Sequence, residues 1–256
     1  MTRIIGIVPA RMKASRFYGK PLHSILGRPM IEHVFLRAQK FKKWDSLTIA
    51  SCDNEILEFA KKNDFPSILT KDTHTRALDR VAEAAPKIHN DINQNDIVVC
   101  VQGDEPMLEP EMIEKVIEIL QDSKNIPCSV LAMHITDEEL WLNKDTVKII
   151  HNDEGKVLYT SRSPVPYSKD SFSSKLNARR IYGIFAFRWH NLEMFVNHKE
   201  TRLEQIESCD SNRILDMNYD QYIAPYPSRK SFSVDSSNDI TLVEKHMIDD
   251  KYYGTY

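Results

Sequence analysis

Ile4-Ile5-Gly6-Ile7-Val8-Pro9-Ala10-Arg11-Met12-Lys13-Ala14-Ser15-Arg16-Phe17-Tyr18-Gly19-Lys20-Pro21-Leu22 opens on an apolar run and passes directly into a loop with four cations within ten residues, Arg11, Lys13, Arg16 and Lys20. An apolar run without polar alternation reads as a strand buried on both faces of a parallel sheet. The same pattern returns at Ile97-Val98-Val99-Cys100-Val101, which is followed by an acidic turn, Gln102-Gly103-Asp104-Glu105-Pro106. Ligands of open α/β sheets bind outside the carboxyl ends of the strands. The two loops can therefore face each other across one crevice, the first gripping phosphates and the second a divalent cation.

Outward from these runs, strand and helix patterns alternate. Met30 to Lys40 sets Ile31, Val34, Phe35 and Ala38 at helical spacing; Leu47 to Ala50 reads as a strand, Asn54 to Lys62 as a helix, Ser67 to Leu69 as a short strand and Ala77 to Ile88 as a helix. A further helix is expected from Pro110, where proline suits the first turn, to Leu120. Such alternation predicts an α/β fold: a doubly wound, Rossmann-like, mostly parallel sheet with helices on both faces and right-handed crossovers. From about Ile126 the pattern becomes β-rich, with strands at Ser129 to Met133, Val147 to Ile150, Val157 to Tyr159 and Arg180 to Phe187. Asp153-Glu154-Gly155-Lys156 reads as a hairpin turn, Ser168 to Ser174 as a polar excursion and Glu204 to Leu215 as one helix. No repeat, low-complexity tract or linker interrupts the chain, so it is read as one domain: residues 1–125, a smaller β-rich lobe at 126–233 and a return to the core at 234–256.

Composition narrows the function. A chain of 256 residues, 41% hydrophobic and 28% charged, can bury a full core. A net charge of −3 gives no electrostatic case for nucleic acid or an anionic membrane as partner. Cys52, Cys100, Cys128 and Cys209 are scattered without Cys-x-x-Cys spacing and are read as free thiols of a reducing compartment. With no signal-type segment after Met1 and no apolar stretch of spanning length, the expected location is cytoplasmic. The first loop ends in Gly19-Lys20-Pro21 rather than Gly-Lys-Ser/Thr, and Gly-x-Gly-x-x-Gly is absent, which removes P-loop and dinucleotide-binding readings. The nine histidines show no metal-binding spacing.

Six stretches then occur in order: Pro9-Ala10-Arg11 through Gly19-Lys20-Pro21-Leu22, Gly27-Arg28-Pro29-Met30-Ile31, Gln102 to Pro106, Tyr159-Thr160-Ser161-Arg162-Ser163-Pro164-Val165-Pro166, Leu203-Glu204-Gln205-Ile206-Glu207 and Val234-Asp235-Ser236. Together they resemble the 3-deoxy-manno-octulosonate cytidylyltransferase (CMP-Kdo synthetase) family across nearly the whole chain. The resemblance implies a nucleotidyltransferase-type fold, transfer of CMP from CTP to the anomeric hydroxyl of a 3-deoxy-ulosonic acid with release of pyrophosphate, Mg²⁺, and a homodimer. It makes residues 1–125 the nucleotide-binding half and 126–233 the acceptor-binding and dimerisation lobe.

Such a transfer builds negative charge on the α-phosphate oxygens and the departing pyrophosphate, so catalysis is mainly electrostatic clamping and positioning. By the resemblance Arg11 and Lys20 grip the phosphates, Ser15 and Arg16 stand beside them, Pro9, Ala10 and Gln102 complete the nucleotide site, and Asp104 is catalytic. Asp104 and Asp235 are the expected Mg²⁺ ligands, because this ion takes one or two protein carboxylates and completes its shell with phosphate and water. They lie 131 positions apart and meet only if the chain returns. Taken alone, Asp235 reads as a helix N-cap. Arg162 is the expected anchor for the acceptor's anionic group, since a guanidinium matches a carboxylate fork. Glu207 is a candidate for accepting acceptor hydroxyls. Lys148 and Arg180 are secondary candidates for the anionic group and otherwise read as surface charges at strand ends.

The chain departs from the family at both ends of the site. For His-x-Gly-Ile-Tyr-Gly-Tyr-Arg it has Ile181-Tyr182-Gly183-Ile184-Phe185-Ala186-Phe187-Arg188, which puts Ile181 and Phe185 where the family has sugar-contacting His and Tyr. Glu-Gln-Leu-Arg becomes Asp210-Ser211-Asn212-Arg213, leaving Asp210 as the acidic acceptor-site residue. A pocket without those polar partners is expected to hold Kdo less well. On the nucleotide side, His-Gln-Ser-Gly-Thr-Glu-Arg becomes His74-Thr75-Arg76-Ala77-Leu78-Asp79-Arg80. Arg76 is open to three readings (triphosphate, acceptor anion or solvent) and is placed with the nucleotide residues. Asp79 and Arg80 read as a surface ion pair. Two other functions stand beside the leading one: CTP-dependent activation of a small non-sugar acid such as a phosphonate, and a catalytically silent nucleotide-binding protein.

Overall fold

A computed structural model of the chain describes residues 2–13 and 17–256. Its strands are β1 (Ile4–Ala10), β2 (Ser24–Ile25), β3 (Arg28–Pro29), β4 (Ser46–Ser51), β5 (Ser67–Leu69), β6 (Ile97–Val101), β7 (Cys128–His134), β8 (Lys148–His151), β9 (Val157–Ser161), β10 (Arg179–Arg188) and β11 (Gln221–Tyr226). Its helices are α1 (Met30–Gln39), α2 (Asn54–Lys62), α3 (Ala77–Ile88), α4 (Pro110–Asp122), α5 (Glu138–Leu142), α6 (Trp189–Asn197), α7 (Arg202–Glu207), α8 (Asp210–Asp216) and α9 (Ser237–Met247).

The main sheet runs β11-β7-β10-β6-β1-β4-β5. Only β10 is antiparallel to its neighbours on this path, and every other pairing along it is parallel. The apolar runs lie at its centre because both faces are covered. In β1, Ile4 and Val8 point into the layer shared with α1, α2 and α4, while Ile5 and Ile7 point toward α3, α6 and α8. β6 alternates likewise, Val99 and Val101 to one side and Val98 and Cys100 to the other. α1 buries Ile31, Val34, Phe35 and Ala38, the stripe expected from spacing.

The β-rich segment divides. β7, β10 and β11 extend the main sheet, whereas β8 and β9 form a hairpin attached to β10 at Arg179 and Arg180. The predicted turn at 153–156 closes this hairpin. One expected helix is corrected: Glu204 to Leu215 breaks at Ser208, whose φ of 51° is left-handed, giving α7 and α8. The break folds α8 back so that Arg213 clasps Glu204 with two hydrogen bonds of 2.7 and 2.6 Å, both side chains being buried. β11 and α6 have no counterpart in the sequence reading. Pro225 weakens the strand signal but is tolerated because β11 is an edge strand, and α6 follows β10 with no intervening turn residue.

The pairing of β10 with β7 shifts register between Ile181 and Phe185, and Gly183 sits within that irregularity. A Cβ there would lie 2.9 Å from Gln102 Cβ and 2.9 Å from Glu105 Oε1. Gly183→Ala is therefore expected to cost about 1–3 kcal/mol, as overpacking does, seen as a lower denaturant midpoint at unchanged slope.

Candidate active site

β1 and β6 are adjacent and parallel, so the loops at their carboxyl ends emerge side by side. Gly103 allows the close approach: a Cβ at that position would lie 2.8 Å from Pro9 O. Between the loops lies a cleft of about 190 Å³ lined by Pro9, Ala10, Arg11, Lys20, Pro21, Met30, His74 to Ala77, Arg80 and Gln102 to Asp104. A larger, shallow depression beside α2 and β5, lined by Glu58, Lys61 and Asp64 among others, shares none of these residues.

The cationic loop is held at its ends. Met12 N donates to Asp53 Oδ2 at 2.8 Å, and Gly19 N donates to Met12 O at 2.9 Å. Ser15 and Arg16 lie outside the described residues. Arg11 is exposed at the rim, with Nη1 donating to His74 O at 3.3 Å. Lys20 Nζ donates to Asp104 Oδ2 at 2.9 Å and to Val234 O at 2.7 Å. Val234 N in turn donates to Asp104 O at 3.0 Å. The chain thus returns after β11 to place the segment bearing Asp235 against the acidic turn. Asp235 is not the N-cap of α9. That position belongs to Ser236, and Asp239 accepts from the backbone of both Asp235 and Ser236, at 2.9 and 2.7 Å. Among the described residues no cluster of three or more His, Cys, Asp or Glu forms a metal cage. Two carboxylates on adjoining segments beside a phosphate-sized cleft suit a cation that draws its remaining ligands from phosphate and water.

Arg80 is the residue that the sequence reading missed. It is buried, not a surface partner of Asp79: Nη1 donates to Thr70 Oγ1 and, at 3.2 Å, to Lys71 O, while Nη2 has no hydrogen-bond partner. Arg76, Ala77 and Arg80 all line the cleft, and their spacing already put them on one helix face. Asp79 pairs instead with Arg213, 3.6 Å away. Arg76 stands on the cleft wall near Glu200, Glu204 and Asp210, at 3.5, 3.8 and 3.7 Å.

The acceptor-side residues are not gathered in the cleft. Arg162 donates through Nε to Glu207 O (2.8 Å), through Nη1 to Lys144 O (3.0 Å) and Asp145 O (3.2 Å), and through Nη2 to Ser208 O (3.3 Å). Four of its five N–H donors are thereby committed to carbonyls. Glu207 accepts from Tyr159 Oη, Ser161 Oγ and Arg162 N at 2.8–2.9 Å. Burial pushes its carboxyl up, but these bonds outweigh burial and hold it below its ordinary range. Phe185 is buried in the layer with Cys100, Val130 and Phe187. Lys148 and Arg180 are buried, not surface charges. Lys148 Nζ donates to the carbonyls of Asn143, Thr146 and Arg162, and burial, aided by the Arg162 charge, lowers it to about 8. Arg180 Nη2 donates to Ser231 O at 2.8 Å.

Burial pushes the Asp210 carboxyl up to about 6, against the pull of Arg76. A carboxyl raised from 3.8 contributes stability that is full below that value and is lost as pH rises through about 6. The wild type is therefore expected to lose on the order of 2 kcal/mol relative to Asp210→Asn between pH 4 and 7. Parallel melts of the two proteins across that range check this.

Cys52, Cys100, Cys128 and Cys209 are all free, and the last three are buried. No helix among the described residues is long and apolar enough to cross a membrane.

Residues 5–223 match the family model described as cytidylyltransferase. A 3-deoxy-manno-octulosonate cytidylyltransferase of Thermodesulfovibrio yellowstonii is 32% identical over 94% of this chain and 96% of its own. One of Anaeromyxobacter dehalogenans is 38% identical over 94% and 96%. Among solved structures, a CMP:2-keto-3-deoxy-manno-octonic acid synthetase complexed with CTP superposes with a TM-score of 0.87 at 28% identity, over 97% of this chain and 99% of that one. A 4-diphosphocytidyl-2C-methyl-D-erythritol synthase of Anaerococcus prevotii, 16% identical with a TM-score of 0.61, shares the fold. The order of the six stretches, the cleft between β1 and β6 and these likenesses agree, and the chain belongs to the 3-deoxy-manno-octulosonate cytidylyltransferase family.

Proposed function

We propose that this chain transfers CMP from CTP to the anomeric hydroxyl of Kdo or a closely related 3-deoxy-ulosonic acid and releases pyrophosphate. The observation that carries the proposal is the cleft itself, where Arg11, Lys20, Arg76 and Arg80 meet Asp104 at the carboxyl ends of two parallel strands. The relative solved with CTP superposes over almost the full chain. Arg11 and Lys20 hold the phosphates, and Arg80, buried against Thr70 and Lys71 in the cleft wall, adds positive charge beside them. Charge that develops on the α-phosphate oxygens is met by groups already oriented by His74 O, Asp104 and Val234 O. Pro9, Ala10 and Gln102 shape the nucleotide end. Asp104 and Asp235 would hold Mg²⁺, which when bound supplies charge neutralisation at the phosphates.

Glu207 and Arg162 brace the end of β9 against α7, while Asp210 and Arg76 stand where the acceptor lobe meets the cleft wall. The relatives compared above favour the sugar acid over a small non-sugar acid. We place the enzyme in the cytoplasm, feeding lipopolysaccharide or capsule assembly, as a homodimer. Exposed Leu158 on β9 supports a second copy docking on this lobe. Pyrophosphate release with CTP, Mg²⁺ and a panel of Kdo, amino-substituted Kdo and small phosphonates tests the assignment. Release with an ulosonic acid supports it, and release with phosphonates alone refutes it.

A further inference from the structure

Glu105 follows Asp104 in the acidic turn and is buried. Its Oε1 accepts from Gly183 N at 3.0 Å and from Ser233 Oγ at 2.7 Å, and its Oε2 makes no hydrogen bond. Gly183 O accepts from Gln102 N at 2.8 Å, so the acidic turn is fastened to β10 twice through one residue. On its other side, residues 227–235 form neither helix nor strand between β11 and α9. The placement of this stretch depends on discrete bonds. Ser231 is fixed by Tyr182 Oη at 2.5 Å and by Arg180, Val234 by Asp104 O and Lys20, and Ser233 by Glu105.

We infer that Glu105 is a positioning residue for the reaction: by bridging Gly183 and Ser233 it holds the irregular segment that carries Asp235 against the turn that carries Asp104. A buried carboxyl group is costly in an apolar interior unless its hydrogen bonds are needed. An apolar side chain of similar volume would fill the same space. It would leave Gly183 N and the Ser233 hydroxyl without their acceptor and free the 232–235 backbone to drift. Glu105 acts through Ser233, and no contact of its own with substrate is involved. The inference rests on the proposed cation site at Asp104 and Asp235.

The test uses the full chain with CTP and no acceptor, and follows Mn²⁺ binding by electron paramagnetic resonance. CTP affinity without metal is measured by calorimetry, together with the melting temperature. Ser233→Ala removes one arm of the bridge and leaves Glu105 bonded to Gly183. It is expected to weaken Mn²⁺ binding roughly 10-fold, the scale seen when partners behind metal ligands are lost, with metal-free CTP affinity unchanged. Glu105→Gln keeps an oxygen able to accept both bonds and is expected to stay within about threefold of wild type, whereas Glu105→Ala loses at least about 10-fold. If Glu105→Ala does not fold, Ser233→Ala and Glu105→Gln decide alone. A folded Ser233→Ala that binds Mn²⁺ as the wild type does overturns this inference and leaves the proposed function standing. Glu105→Gln weakened as far as Ser233→Ala also overturns it. A wild-type CTP complex that binds no Mn²⁺ overturns the cation site and this inference with it.

Discussion

Asp104→Asn is expected to lower the single-turnover rate at least about 10³-fold, equivalent to some 4 kcal/mol of lost transition-state stabilisation, while the protein stays folded. The aspartate lies on a turn at the cleft floor and its side chain is 27% exposed. Its ion pair with Lys20 is partly solvated, and such pairs contribute little to folding. Asparagine preserves the shape but removes the negative charge that would hold a cation and orient Lys20. Single-turnover measurement at saturating CTP and Mg²⁺, beside a melt, separates the two effects. A rate near wild type would remove Asp104 from the chemistry.

Lys20→Ala is expected to reduce the same rate by roughly 10²–10³, the loss typical of one preorganised electrostatic donor. Lys20 is pinned by Asp104 Oδ2 and Val234 O before any ligand arrives, so little reorganisation is needed when charge develops. Truncation removes that charge and one of the ties between the acidic turn and the returning segment. Arg11→Ala, at the exposed rim, is expected to follow in the same direction. A change confined to the KM for CTP would make these residues ground-state binders only.

The central sheet was legible because β1 and β6 are buried on both faces and therefore apolar at every pleat. The pairing of a cationic with an acidic loop was legible because parallel neighbours emerge at the same edge. β11 was not, because Pro225 interrupts its pattern and its pairing with β7 joins residues about ninety positions apart. The break at Ser208 was hidden because serine carries no left-handed signal, and the conformation follows from the bridge between Glu204 and Arg213. Arg80 was read as solvated because its burial depends on Thr70 and Lys71, which precede its helix and carry no motif. Arg162 illustrates the converse: a guanidinium suited to a carboxylate is instead occupied by four backbone carbonyls that only the folded chain brings together.

The most direct measurement is ³¹P NMR of the full chain incubated with CTP, Mg²⁺ and Kdo. The triphosphate resonances are expected to give way to one phosphodiester signal, that of a CMP sugar, and to free pyrophosphate in equal amount, with both signals lost in Asp104→Asn. Persistence of intact CTP with Kdo and with amino-substituted Kdo, under conditions where the folded wild type binds CTP, would contradict the proposed transfer.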